Sequence, residues 1–221
     1  MIELKNVHKR YLTEHGAGPW VLQGINLNIP SKTNVGLIGC NGAGKSTLLR
    51  LIGGIDQPNQ GLIRRHCLVS WPMGSGGGLK GSMTGRQNAK FVCRIYAQDG
   101  DLPDRLRFIK DFADIGDAFE APVNTYSSGM KSRLLFAMSL AFEFDVYISD
   151  EVTSAGDATF GSKASKAFAE LAGKAGLIMV SHNDSSLKNY CQAGIWLHQG
   201  KGHWFDLIDD ALYAYKASIK T

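Results

Sequence analysis

The eight residues Gly39-Cys40-Asn41-Gly42-Ala43-Gly44-Lys45-Ser46 constrain this chain more tightly than any other part of it. They match G-x-x-x-x-G-K-[ST] at every fixed position. Before them runs the short apolar stretch Val35-Gly36-Leu37-Ile38, and after them Leu48, Leu49, Leu51 and Ile52 recur at helical spacing. The context is strand, loop, helix. The glycines let successive backbone N–H groups turn inward onto phosphate oxygens, and the helix N-terminus adds positive potential at the same place. Lys45 is placed to span β- and γ-phosphates, and the Ser46 hydroxyl to complete a Mg²⁺ shell. Gly39, Asn41, Gly42, Ala43, Gly44, Lys45, Ser46 and Thr47 are therefore the candidate nucleotide-binding residues. Glycine supplies 26 of the 221 residues, against a usual ~7%, and with only 6 prolines this excess points to tight turns rather than low complexity.

A chain of 221 residues has room for one domain, or one with a small subdomain, and excludes two full catalytic domains. Hydrophobic residues at 44% and charged residues at 20% exclude disorder and fibrous repeats. The net charge of +4 is mild and scattered, so no nucleic-acid partner is expected, although a weakly basic face could sit beside anionic lipid. Cys40, Cys67, Cys93 and Cys191 show no CxxC spacing, and free thiols in a reducing cytosol are the simplest account. The opening Met1-Ile2-Glu3-Leu4-Lys5-Asn6 carries early charges and no apolar h-region, so a secretory signal is not expected. No stretch approaches the ~18–20 apolar residues that span a bilayer. Any membrane role is expected to come through a partner.

Ile2 to Tyr11 and Val21 to Ile29 alternate apolar and polar residues like antiparallel strands, with a turn expected at Gly16-Ala17-Gly18-Pro19. From about Thr84 to Phe142 the pattern is helical, and residues ~72 to ~140 read as a helical insert in a single domain spanning 1–221. Gly74-Ser75-Gly76-Gly77-Gly78, at its edge, reads as a flexible stretch. Val146 to Ile148, Leu177 to Val180 and Ile195 to Leu197 are short buried-type strands. They alternate with helical stretches around 158–172 and 183–191, the pattern of an α/β parallel sheet. Asp206 to Ile219 reads as a closing helix.

Val146-Tyr147-Ile148-Ser149-Asp150-Glu151 is an apolar strand ending in two carboxylates. Asp150 is placed to hold Mg²⁺ through water and Glu151 to polarise an attacking water as general base; a solvated strand terminus is the plainer reading of such a pair alone. Tyr126-Ser127-Ser128-Gly129-Met130 opens a helix ahead of that strand, and His182 follows a strand in Val180-Ser181-His182. This ordered set resembles the ATP-binding cassette of ABC transporters across the whole chain.

The resemblance implies an α/β fold of the P-loop NTPase ABC ATPase type, with a parallel-sheet core, an N-terminal antiparallel β layer and a helical signature subdomain. It implies ATP and Mg²⁺ as ligands and ATP hydrolysis as the reaction. Ser127, Ser128 and Gly129 look like the signature motif, which caps the γ-phosphate of ATP on the opposite subunit; a helix N-cap explains an isolated serine there equally. His182 resembles the switch histidine that contacts γ-phosphate, where a structural or solvated histidine is the alternative. Ser154-Ala155-Gly156-Asp157 matches the D-loop, and a plain N-cap at Asp157 accounts for the same residue locally. Tyr11 stands where the family puts an aromatic for adenine stacking, with a core tyrosine as the alternative.

The signature reads Tyr-Ser-Ser-Gly-Met instead of the commoner Leu-Ser-Gly-Gly-Gln, and the glutamine usual between P-loop and signature is missing from Ser70-Trp71-Pro72-Met73-Gly74. Gln87 falls on the following helix. Ser70-Trp71-Pro72, Gly77-Gly78, Gly81-Ser82, Thr84-Gly85 and Asn88, with Tyr126 to Met130 and Asp150 to Thr153, look like the cassettes that energise capsular polysaccharide export across the inner membrane of Gram-negative bacteria. O-antigen and teichoic-acid exporters share Ser-Ser-Gly-Met but usually carry a longer C-terminal domain, which is not expected here; a small-solute cassette is a further alternative. A soluble cassette working on ribosomes or DNA usually joins two cassettes or inserts long coiled coils, and no Asn-Lys-x-Asp guanine signal is present. The expected partners are a second copy, in a head-to-tail dimer with two ATP molecules between the subunits, and a separate transmembrane permease docking near residues ~71 to 95. The location implied is the cytoplasmic face of the inner membrane, peripheral through that permease.

Overall fold

In the computed structural model, residues 1–14, 16–73, 78–96, 100–150 and 158–219 are described. They fall into two units: Met1–Pro72 with Phe144–Glu151 and Ala169–Thr221, and Met73–Glu143 with Val152–Phe168.

The first unit is built on two sheets. Strand β1 (Ile2–Thr13) pairs antiparallel with β2 (Gly16–Ile29) on one side and with β4 (Gln60–Arg65) on the other. The period-two alternation expected at the N-terminus is realised: Ile2, Leu4 and Val7 of β1 and Leu22, Ile25, Leu27 and Ile29 of β2 are buried on one face. The turn expected at Gly16-Ala17-Gly18-Pro19 is instead the start of β2, where Gly16 and Ala17 pair with Thr13 and Leu12. The ribbon outruns its hydrophobic signal, because exposed ladder residues have no core to alternate against.

The second sheet has the order β5-β6-β7-β3-β8-β9. Its strands are β3 (Asn34–Ile38), β5 (Val69–Met73), β6 (Val146–Asp150), β7 (Gly176–Val180), β8 (Ala193–His198) and β9 (Lys201–Phe205). β6, β7, β3 and β8 are parallel and β9 returns antiparallel. Every residue of β3 and β7 is buried, as strands covered on both faces must be. Between the sheets lies helix α1 (Lys45–Ile52), whose Leu48, Leu49, Leu51 and Ile52 are buried against Ile2, Leu22, Val35, Ile148, Ile178 and Ile195. At about 25 cal/mol per Å² of apolar surface, the burial of these four side chains ties both sheets to the helix that follows the glycine loop.

The opposite face of the sheet carries α6 (Asp184–Tyr190) and α7 (Ile208–Ile219). Close approach there depends on missing side chains. A Cβ on Gly194 would lie 2.4 Å from the Ala211 Cβ, and one on Gly36 2.6 Å from the Ile208 Cδ1. Lys188 pairs with Asp209, and Lys216 with Asp184, which pins α6 to α7 at the surface. All four cysteines are free thiols, and burial pushes the Cys191 thiol up to about 12.

Strands β4, β5 and β9 have no counterpart in the sequence reading. β4 is an exposed edge with Gly61 at φ 85, β9 is half exposed, and β5 contains Pro72, which discourages a strand assignment except at an edge. Ser70 to Met73, where the glutamine is missing and the helical insert was expected to begin, lies in that edge strand; buried Ser70 Oγ accepts the Ile148 N–H at 2.9 Å.

The second unit holds α2 (Gly85–Tyr96), α3 (Leu102–Ala113), α4 (Ser128–Leu140) and most of α5 (Ala158–Ala172). The flexible stretch expected at 74–78 lies, but for Gly78, outside the described residues. α2 starts in a reciprocal cap. The Gln87 N–H donates to Thr84 Oγ1 at 3.1 Å, and Gln87 Oε1 accepts the Thr84 N–H at 2.9 Å. Gln87, the glutamine nearest the expected sensor position, is thus used as a helix cap. α4 is buried from Leu134 through Ser139, and Phe136 meets Phe112 and Phe160 at 5.9 and 6.3 Å between ring centroids. No described helix is long and apolar enough to cross a membrane.

Gly194→Val forces α7 off the sheet. Overpacking of this kind costs about 1–3 kcal/mol, and at roughly 2–4 °C per kcal/mol for a chain of this size the thermal midpoint followed by circular dichroism falls by at least about 2 °C. An unchanged midpoint would show that the helix does not press on this strand.

Candidate nucleotide-binding site

The glycine loop leaves the carboxyl end of β3 and turns directly into α1. Gly42 and Gly44 have φ of 80° and 98°, the left-handed region that side chains other than glycine rarely adopt, and Gly44 is the N-cap of α1. Gly39 is needed for a second reason, since a Cβ there would lie 2.5 Å from the Leu197 carbonyl oxygen of β8. The loop is thereby held against the sheet with the N-terminus of a buried helix behind it.

Lys45 Nζ donates to the carbonyls of Gly39 and Cys40 at 2.7 and 2.9 Å, so the ammonium arches back over the loop. A cation held at the mouth of a ring of glycine amides is an anion site built for phosphate. The Ser46 hydroxyl donates to Asp150 Oδ2 at 3.4 Å, joining the start of α1 to the end of β6 across a sequence separation of 104. A hydroxyl and a carboxylate brought together are hard oxygen donors that suit Mg²⁺, which takes one or two protein oxygens and completes its shell with phosphate and water. No cluster of three or more His, Cys, Asp or Glu able to hold a metal occurs among the described residues.

His182 lies beyond the end of β7 and is exposed. It lines a pocket of about 80 Å³ that Gly39, Lys45 and Tyr215 also line. The structure thus gathers Gly39 to Thr47, Asp150 and His182 at the carboxyl ends of β3, β6 and β7, where parallel α/β sheets bind their ligands.

Tyr11 lies at the surface and not in the core: it is 42% exposed, its hydroxyl donates to Asp56 Oδ2 at 3.2 Å, and its oxygen lies 3.5 Å from Thr47 Oγ1 at the start of α1. Behind it, buried Lys9 donates to Asp56 at 2.7 Å and lies 4.9 Å from the centre of the Tyr11 ring. Burial pushes the Asp56 carboxyl up, but the bonds from Lys9, the Gln57 N–H and the Tyr11 hydroxyl together hold it below its ordinary value. Lys9 and Asp56 were absent from the sequence-derived candidates. The available signal was the two-residue spacing of Lys9 and Tyr11, which puts both on one face of a strand. Trp20 was also overlooked. It stacks beneath the Arg10 guanidinium at 4.4 Å and lines a 430 Å³ pocket with Asn41, Gly42 and Gly200.

Ser127, Ser128 and Gly129 lie in the other unit, at the start of α4. Ser127 is the N-cap, its Oγ accepting the Met130 N–H at 3.2 Å, while Ser127 and Ser128 are exposed and Gly129 is half-buried. The N-cap reading of Ser127 therefore holds. Tyr126 is buried beside Gly85, where a Cβ would meet its hydroxyl oxygen at 2.4 Å. It anchors the turn that precedes the serines. Glu151 and Asp157 lie outside the described residues.

The sequence profile of the ABC transporter family matches residues 22–154, from β2 past the end of β6. The chain belongs to the ABC transporter family. Its likeness to characterised members extends over its full length. The polysialic acid transport ATP-binding protein KpsT of Escherichia coli is 46% identical over 220 residues, covering 99% of this chain and 100% of that protein. The ATP-binding protein BexA of Haemophilus influenzae is 42% identical over 222 residues, covering 100% of both. The capsule polysaccharide export ATP-binding protein CtrD of Neisseria meningitidis is 42% identical over 221 residues, covering 99% of this chain and 100% of that protein. Among solved structures, the dimeric post-hydrolysis state of the ATP-binding cassette MJ0796 bound to ADP and Pi superposes with a TM-score of 0.75. It covers 94% of this chain and 99% of that one at 22% identity, which shows the shared fold. The cassette is thus an ATPase of this family with the α/β architecture expected for it.

Lys45→Ala removes the charge at the loop mouth. A hydrogen bond to a charged group is worth about 1.5–3 kcal/mol, so ATP affinity measured by titration calorimetry falls roughly ten- to a hundredfold with folding intact. Undiminished affinity would exclude Lys45 from the phosphate site.

Proposed function

We propose that this cassette is the ATP-hydrolysing subunit that powers export of capsular polysaccharide across the bacterial inner membrane together with a separate permease. The observation that carries the reading is full-length similarity to three cassettes whose names specify polysialic acid transport or capsule export, or that stand beside them at equal identity. A teichoic acid export cassette of Bacillus cereus is 34% identical, and this chain covers only 40% of it, so that alternative has the weaker support.

In this reading the chain's own groups divide the chemistry. The amides of Gly42 to Ser46 and the Lys45 ammonium bind the β- and γ-phosphates. Ser46 and Asp150 hold Mg²⁺, Asp150 through water; the ion neutralises charge on the phosphates when bound. Tyr11 stacks on adenine, its ring orientation fixed by Thr47 and Asp56. Glu151, next in sequence to Asp150, takes a proton from the attacking water, and His182 steadies the γ-phosphate side. Ser127, Ser128 and Gly129 present the start of α4 to the nucleotide held by a second copy, and Asp157 contributes at the same subunit boundary. Each site is therefore completed only in a head-to-tail dimer.

The permease docks along residues ~71 to 95, where α2 offers exposed Phe91 and Ile95 one helical turn apart. The cassette is then peripheral, held at the cytoplasmic face by that partner.

Two experiments test this. With Glu151→Gln, ATP still binds and a dimer accumulates, while turnover falls about 10²–10⁴-fold, the usual contribution of a general base; unchanged turnover would remove Glu151 from the mechanism. Co-purification from native membranes should recover a multispanning protein that stimulates ATP turnover and is encoded with capsule genes. Recovery of a small-solute permease instead would overturn the cargo assignment.

A further inference from the structure

The turn that delivers the signature serines is built onto the start of α2. The N–H groups of Val123 and Asn124 donate to the carbonyls of Met83 and Gly81, each at 2.9 Å, and Thr84 bridges Pro122 in a single antiparallel pair. From α2, the buried Asn88 amide donates to the Thr84 carbonyl at 2.9 Å and its Oδ1 accepts the Lys80 N–H at 2.8 Å, which holds residues 80–84 against the helix. Arg86 reaches the other segment, donating to both carboxylate oxygens of Glu120 and lying 5.3 Å from the centre of the Phe119 ring. Tyr126 closes the block. Its buried hydroxyl donates to the Ala118 carbonyl and leaves no room for a Cβ on Gly85, the first residue of α2. Ser127 follows it directly in sequence.

We propose that Tyr126 is a positioning residue: its hydroxyl, wedged between Ala118 and Gly85, sets where the start of α4 stands relative to α2, and so whether Ser127, Ser128 and Gly129 reach the nucleotide of a second copy. The inference rests on the head-to-tail dimer proposed above, but not on the cargo. α4 is fully buried only from Leu134 onward, more than a turn beyond the serines, and the bond from the Met130 N–H to Ser127 Oγ is local to the helix. The fixed point next to the serines is therefore Tyr126. A hydrogen-bonded phenol suits this task better than a purely apolar ring, because a buried hydroxyl is held by direction as well as by distance. α2 is also the helix offered to the permease, so the same contact joins the docking helix and the serines in one block.

The test follows the ATP-bound dimer that Glu151→Gln accumulates, by analytical sedimentation of the full chain. Adding Tyr126→Phe keeps the ring and removes the hydroxyl. A lost hydrogen bond costs roughly threefold at each of the two sites of the dimer, so its dissociation constant rises about tenfold. ATP affinity of the monomer, set by the glycine loop, is unchanged. Gly85→Ala, which presses on the same oxygen from α2, weakens the dimer as well. The two changes together cost less than the product of their separate effects, because the oxygen that the new methyl strikes is gone. Ile109→Val, a buried change in α3 with a comparable cost to stability, leaves the dimer as it was. A dimer indifferent to Tyr126→Phe, independent multiplication of the two losses, or an equal loss with Ile109→Val would each overturn the positioning role alone. Failure of Glu151→Gln by itself to dimerise would overturn the head-to-tail reading and this inference with it.

Discussion

Helix α1 is held between two sheets by four apolar side chains, and its N-terminus, with Ser46 exposed, projects from that core. The glycine turn preceding it is constrained on both sides, by the left-handed Gly44 that caps the helix and by Gly39 pressed on the β8 backbone. The loop therefore needs little reorganisation to receive phosphate, and the lysine that follows is already folded over its mouth by two carbonyl contacts. Preorganised donors of this kind are effective because the cost of orienting them is met during folding.

The remaining groups reach that loop through strand polarity. β3, β6 and β7 run parallel, so their carboxyl ends lie on one edge of the sheet, and Lys45, Asp150 and His182 come together from widely separated parts of the sequence. Tyr11 comes from the antiparallel layer and is steadied by Asp56, whose charge is maintained by buried Lys9. The three signature residues, in contrast, sit at an exposed helix start in a unit of their own. Their exposure leaves them free to face a second protomer, as the proposed head-to-tail dimer requires.

The same contrast explains what could be read beforehand. The central parallel strands announced themselves as short apolar runs because both of their faces are covered. The buried parts of β1 and β2 announced themselves by alternation, but the exposed start of β2, the edge strand β4, the proline-bearing edge β5 and the half-exposed β9 did not, since an exposed or edge strand carries no obligatory hydrophobic pattern. Gln87 shows a finer limit: the sequence places it on the following helix, and only the structure shows that Thr84 commits its side chain to capping that helix.

Residue identity determined the chemistry by itself: only a glycine loop followed by lysine and serine offers that density of phosphate donors, and the order of the later motifs specified the family architecture. The tertiary structure alone decided the company each group keeps. Lys9 behind Tyr11, Ser46 beside Asp150 and Tyr126 against Gly85 are juxtapositions across strands and helices. Local periodicity reports which face of an element is buried, but contains no information about which other face it will meet.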